Sequence, residues 1–164
     1  MRYEDFLQAR LHALLRYAAI LTGDPHQAED VVQEVLVRAS RRWRAISRMD
    51  APEAYLKRMI TNEYLSWRRR RSSTEVATGH DVLASLAGAS ADHATACDDL
   101  DALRAGVALL PRKQRAALTL RYYEDLSYAE IGAHLGCSEG TARSHVSRAL
   151  TALRVDLAPA KEPR

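Results

Sequence analysis

The sequence predicts an all-α protein: two small helical domains joined by a flexible acidic linker. Three observations carry the prediction. Ala, Leu and Arg dominate the 164 residues, while Gly and Pro number only 7 and 5 and aromatic residues make up 6%, a composition of helix formers. Apolar residues recur at three- and four-residue spacing in two blocks, before residue 72 and after residue 98. Between those blocks the periodicity stops, and Ser, Thr, Ala, Gly and Asp take over. Such a segment lacks the apolar surface to offset the entropy of ordering. The expected organisation is therefore a first domain over 1–71, a linker over 72–98, a second domain over 99–157 and a tail over 158–164.

Residues 3–21 form the first expected helix, with Phe6, Leu7, Leu11, Leu14, Leu15, Ala18 and Leu21 at helical spacing. Gly23-Asp24-Pro25 ends it and can start the next. The second expected helix runs over 26–46, with Ala28, Val32, Val35, Leu36, Ala39, Trp43 and Ile46 on one apolar stripe. Its opposite face carries Asp30, Gln33, Glu34, Val37 and Arg41. Arg44 to Asp50 reads as a polar loop, and Pro52 fits a first helical turn. A third helix is expected over 51–71, ending in Arg68 to Arg71. Its outer face is expected to hold Arg58, Thr61, Asn62, Leu65 and Arg69, flanked by Lys57 and Arg68, with Tyr55, Tyr64 and Trp67 interleaved. Trp43 and Trp67 lie on apolar stripes and read as core.

Within the linker, a turn of helix around Val82–Leu86 is the only regular element expected. Beyond it come helices over 99–109, from Pro111 to about Tyr123, over Tyr128–Leu135 with Ser127 as cap, and from Ser138 through Leu157. The last two, joined by Gly136-Cys137-Ser138, have helix-turn-helix spacing. Ala129, Ile131 and Leu135 are expected to pack on the final helix, with the small Ala133 at the crossing and Gly136 in left-handed geometry. In that final helix Ala142, Val146, Ala149, Leu150, Leu153 and Leu157 form the inward stripe. Gly140, Ser144, Ser147, Arg148 and Thr151 point outward, flanked by Thr141, Arg143 and His145. Guanidinium groups that can grip guanine, among small hydroxyls that can hold phosphates, suit a helix entering a major groove. The competing reading is an amphipathic hairpin with a solvated basic face.

Charge follows the same partition. The chain carries +3 overall, but residues 1–71 hold 14 bases against 9 acids. Residues 72–98 hold four acids (Glu75, Asp81, Asp92 and Asp98) and no base, and residues 99–157 hold 8 bases against 7 acids. The asymmetry points to a polyanionic partner.

Two stretches carry a family resemblance. Leu110-Pro111-Arg112-Lys113-Gln114-Arg115, Leu126-Ser127-Tyr128-Ala129-Glu130-Ile131-Gly132 and Gly140-Thr141-Ala142-Arg143-Ser144-His145 resemble region 4 of extracytoplasmic-function (group IV) sigma factors, in an actinobacterial SigE-like branch. Leu21-Thr22-Gly23-Asp24 with Ala28-Glu29-Asp30-Val31-Val32-Gln33-Glu34-Val35 resembles region 2. The resemblance implies a transcription initiation factor. Region 4 would read the upstream (−35) promoter element through Arg143, Ser144, His145, Ser147 and Arg148, with Arg112 and Thr141 on phosphates. Region 2 would engage the downstream (−10) element through Lys57, Arg58, Thr61, Asn62, Arg68 and Arg69. It would dock on the beta-prime clamp of core RNA polymerase through Asp30, Gln33, Glu34, Val37 and Arg41. The beta flap, promoter DNA and an anti-sigma factor are further implied partners. One departure stands: where many members carry Asp shortly after Asn62, this chain has Ser66.

The alternative is a helix-turn-helix regulator that does not bind the polymerase core. Catalysis, a cofactor and a metal are not expected: the sequence has no phosphate-binding glycine loop, nucleophile motif or ligand cluster. His93 and Cys97 stand alone in the linker, and Cys137 reads as a small packed residue. Two cysteines far apart, no apolar run long enough to span a bilayer and no signal-peptide core predict a cytoplasmic protein without membrane insertion.

Overall fold

The structure, a computed structural model, describes residues 1–71 and 94–156, with side chains over 1–66 and 100–154. The chain divides into two compact units, Met1–Leu86 and Ala87–Arg164. Every regular element among the described residues is an α-helix.

In the first unit, α1 (Tyr3–Thr22) ends at Gly23, whose φ of 70° is left-handed and whose N–H returns to the Ala19 carbonyl. Only glycine adopts that geometry without a Cβ penalty. Asp24 then caps α2 (Pro25–Arg41) by accepting a hydrogen bond from the His26 N–H at 2.9 Å. Phe6, Leu14, Tyr17, Ala18 and Leu21 of α1 are buried with Ala28, Val31, Val32, Val35 and Ala39 of α2.

The single helix expected over 26–46 is instead two. Arg42 breaks it at φ −119° and ψ 12°, and a short α3 (Trp43–Ile46) follows. The break lets Trp43 fold back on the chain's start. Its ring lies 4.8 Å from Phe6 and 5.2 Å from Tyr3, and its indole N–H donates to the Met1 carbonyl. Trp43 is thus core, as its stripe predicts, and part of the expected loop from Arg44 is helical.

Helix α4 (Pro52–Arg71) packs on both α1 and α2. Leu56, Ile60 and Tyr64, four residues apart, are essentially inaccessible. Two neighbours widen that buried sector, which corrects the expected outer face. Thr61 is 0% exposed, and its hydroxyl lies 2.7 Å from that of the equally buried Tyr17. Glu63 is 3% exposed and paired with Arg38 of α2. Contact with two helices buries more than one stripe, so polar groups enter the core with partners supplied, as buried polar groups require.

In the second unit, α5 (Ala94–Leu109) starts five residues before the expected position, so 94–98 of the expected linker is helical. Ala94 and Ala96 favour helix, but so short an extension carries no readable periodicity. The rest of that linker, the expected turn around Val82–Leu86, His93 and Leu157 lie outside the described residues. So do the side chains of Trp67, Arg68, Arg69 and Cys97. Helices α6 (Arg112–Tyr122), α7 (Tyr128–Leu135) and α8 (Glu139–Asp156) follow. Leu110, Ala149 and Leu153 form a core cluster joined by Leu103, Val107, Leu118 and Ala152. Arg115, 8% exposed, reaches from α6 to donate to the carbonyls of Ala108 and Leu110 at the end of α5.

Candidate nucleic-acid interface and docking face

The α7–α8 hairpin begins with reciprocal capping. The Ser127 hydroxyl accepts from the Glu130 N–H, and the Glu130 carboxylate accepts from the Ser127 N–H at 2.8 Å. The Ser127 hydroxyl, which also donates to that carboxylate at 2.7 Å, and then the Ser127 N–H hold the Glu130 carboxyl below its ordinary pKa. Gly136 closes α7 at φ 66°. Ser138 starts α8, its hydroxyl accepting from the Thr141 N–H at 3.2 Å.

The close approach inside the hairpin occurs at Gly132, not at the expected Ala133, which is exposed. A Cβ on Gly132 would sit 2.7 Å from the Cys137 carbonyl oxygen, so this position tolerates no side chain without a shift of backbone. Ala129 is also exposed, a second correction, while Ile131 is fully buried and Leu135 half-buried. The hairpin presses on α8 through the sector centred on Ile131 and Gly132. Ala129 and Ala133 sit on either side of that sector.

On α8, Ala142, Val146, Ala149 and Leu153 are buried and Leu150 half-buried. Opposite them Gly140, Thr141, Arg143, Ser144, Ser147, Arg148 and Thr151 are exposed together, so the structure gathers nearly all the residues expected on the outward face. Arg143 pairs with Glu139 at 3.1 Å, and its guanidinium lies 5.0 Å from the Tyr128 ring. Arg112 is half-buried in the first turn of α6.

His145 departs from the expected outer face. It is half-buried, and its Nδ1 has no accessible surface and no hydrogen-bond partner. Burial first, then the cations of Lys113 and Arg148, hold its pKa below the usual imidazole value. The neutral ring is therefore favoured.

In the first unit, Arg58 and Asn62 are exposed on α4. Lys57 is half-buried, paired with Glu53 at 3.3 Å and 5.7 Å from the Tyr17 ring centre. Thr61 faces the core and is not available on that surface. On α2, Asp30, Gln33, Glu34, Val37 and Arg41 are all exposed along one face, with Val37 at 47%.

Beside that face runs an apolar groove of about 450 Å³ between α1 and α2. Leu7, Leu11 and Leu15 line it from α1, Val32 and Leu36 from α2, and Gln33 and Val37 form part of its wall. The sequence reading missed this groove, although the four-residue spacing of Leu7, Leu11 and Leu15 is a second leucine row beside the buried one. Among the described residues, no group of three or more His, Cys, Asp or Glu side chains could hold a metal ion. No helix among them is long and apolar enough to cross a membrane.

Comparison with known proteins gives one consistent answer. The family model for sigma-70 region 2 matches residues 3–74, and that for sigma-70 region 4 matches residues 100–153. The chain is 37% identical over 157 residues to the RNA polymerase sigma-E factor of Streptomyces avermitilis, covering 96% of this chain and 86% of that protein. It is 35% identical over 145 residues to the extracytoplasmic-function sigma factor SigL of Mycobacterium tuberculosis, covering 88% and 82%. The sigma factor RpoE of Bartonella quintana, crystallised with the anti-sigma factor NepR, superposes with a TM-score of 0.70 at 27% identity, over 94% of this chain and 96% of that one.

Proposed function

The chain belongs to the sigma-70 family of RNA polymerase sigma factors, in its extracytoplasmic-function, SigE-like branch, and from that premise we propose the division of labour among its residues. As a sigma factor it binds core RNA polymerase and directs it to specific promoters. The observation that carries this is the presence of regions 2 and 4, in that order, on one chain. A stand-alone regulator has no use for region 2.

The second unit reads the upstream element. Arg143, Ser144, Ser147 and Arg148 project from the exposed face of α8 into the major groove, and Arg112 and Thr141 contact phosphates. His145, half-buried and neutral, contributes through its edge alone. The first unit engages the downstream element through Arg58 and Asn62, with Lys57 and the arginines 68 and 69 on phosphates. Thr61 has no part in this, being core. Asp30, Gln33, Glu34, Val37 and Arg41 form the docking face for the beta-prime clamp, and the second unit also meets the beta flap. The likeness to a sigma factor crystallised with its anti-sigma partner supports an inhibitor of that class for this chain too. The role assigned is recruitment and promoter opening in the cytoplasm, with no catalytic step.

The test of the whole reading is in vitro transcription with sigma-free core polymerase on pooled genomic promoters of the host. Protein-dependent transcripts that share paired upstream and downstream elements are expected. No transcripts, together with no binding to core, would leave only a DNA-binding regulator.

Two substitutions separate the assigned surfaces. Arg148→Ala is expected to weaken use of particular upstream sequences by roughly 1–3 kcal/mol if the guanidinium reads a base. Competition binding across single-base variants checks this, and a uniform loss would mean a phosphate contact. Glu34→Arg is expected to weaken core binding about tenfold or more, because like charges set against each other in an interface cost several kcal/mol. The exposed Glu34–Arg38 pair at 3.7 Å contributes little to the fold, so the melting temperature should hold. Unchanged core affinity in a pull-down titration would remove Glu34 from the docking face.

A further inference from the structure

Three helices meet at one half-buried aromatic ring. The Arg121 guanidinium of α6 lies 5.1 Å from the centre of the Tyr128 ring, and the Arg143 guanidinium of α8 lies 5.0 Å from the same centre. Arg121 is itself anchored, donating through Nη1 to the Leu126 carbonyl at 2.9 Å, just ahead of α7. Tyr128 is the first residue of α7 and half-buried.

We propose that Tyr128 is a positioning residue for upstream-element recognition, its ring holding the Arg143 guanidinium in place on the DNA-facing side of α8. The inference rests on the reading, made above, that Arg143 contacts DNA. An arginine 63% exposed along its side chain would otherwise sample many rotamers, and fixing it on binding would cost entropy. Attraction between a cation and a ring face restrains the guanidinium plane and leaves its in-plane N–H groups available. The other restraint, the Glu139 carboxylate at 3.1 Å, works differently. It occupies an N–H donor that a phosphate or base edge would take, so it must yield when DNA binds. The ring need not. Arg121, tied to backbone, keeps the ring from following Arg143 outward. Recognition by α8 therefore depends on a residue of α7 that need not touch the DNA.

The test uses the full chain bound to core polymerase and an upstream-element duplex enriched from a randomised DNA pool. Four proteins are compared with the original: Arg143→Ala, Tyr128→Leu, Tyr128→Phe and the double variant Tyr128→Leu/Arg143→Ala. Arg143→Ala is expected to bind roughly tenfold more weakly. Tyr128→Leu, which keeps bulk and loses the ring, should lose roughly three- to tenfold. Tyr128→Phe should stay within about twofold, because the ring and not the hydroxyl carries the effect. The double variant should bind no more weakly than Arg143→Ala alone, since neighbours acting through one group are not additive. A merely structural tyrosine would weaken binding in the Arg143→Ala background as well, and that result overturns the proposal. So does a Phe variant as weak as the Leu variant, or a Leu variant that binds like the original. Unchanged affinity of Arg143→Ala overturns the contact reading first, and the positioning role with it. It is distinguishable because the fault then appears in the arginine variant itself.

Discussion

Replacing Gly132 with valine is expected to abolish upstream-element binding while α1–α4 keeps its stability. The reason is a distance. A Cβ at this position would stand 2.7 Å from the Cys137 carbonyl oxygen and 3.3 Å from the Glu139 nitrogen, and both are backbone. A clash with a flexible side chain can relax by rotation, but this one relaxes only if the turn between α7 and α8 moves. The Gly132 carbonyl also accepts hydrogen bonds from the N–H groups of Gly136 and Cys137, so moving the turn breaks its own closure. Overpacking of this kind costs roughly 1–3 kcal/mol and occasionally more. The gain in helix propensity over glycine, below about 1 kcal/mol, does not offset it. A small helical domain has little stability to spare. Circular dichroism melts of the full chain should show the first unit's transition unshifted and the second unit's lowered or lost. A single unshifted melt with normal DNA affinity would mean that the turn has room the geometry denies.

The second large effect is expected at Arg115. It is 8% exposed, and its guanidinium serves the carbonyls of Ala108 and Leu110, where α5 ends without a glycine cap. Arg115→Met keeps the aliphatic stem and removes both charge-assisted hydrogen bonds. Hydrogen bonds to a charged group contribute roughly 1.5–3 kcal/mol each, and no longer burying the charge offsets part of their loss, so the second unit should lose about 2–4 kcal/mol. The end of α5 should loosen first, since the guanidinium reaches its last carbonyls directly. Hydrogen exchange followed by mass spectrometry should show faster exchange over α5 and the start of α6. Exchange unchanged there, with an unshifted melt, would reduce Arg115 to a surface group whose burial is incidental.

The helices and their partition were legible because each block repeats apolar residues at helical spacing and because turn chemistry marks the ends: Gly23 with Asp24, Ser127, Gly136 and Ser138. What the sequence concealed were effects of contact between elements. The break at Arg42 has no glycine or proline to announce it and follows from Trp43 packing against Phe6 and Tyr3. Thr61 looks like an outward polar residue on its own helix, but its hydroxyl is satisfied inside the core by the Tyr17 hydroxyl and by the Lys57 carbonyl one turn back. Gly132 and Ala133 are adjacent small residues, and the crossing geometry, not residue size, selects between them. The outward face of α8 is legible because one helix with a clean inward stripe fixes its own opposite side. The face of α4 is less so because two neighbours share it.

The separation of faces on α8 has an evolutionary consequence. Ala142, Val146, Ala149 and Leu153 hold the helix, and Ser144, Ser147 and Arg148 hold none of its buried packing. Surface substitutions outside special features change stability by no more than about 0.5 kcal/mol. Drift at those exposed positions can therefore carry the protein from one set of target genes to another without passing through an unfolded ancestor. A duplicated copy could diverge in what it switches on while keeping the same scaffold and the same machinery to recruit.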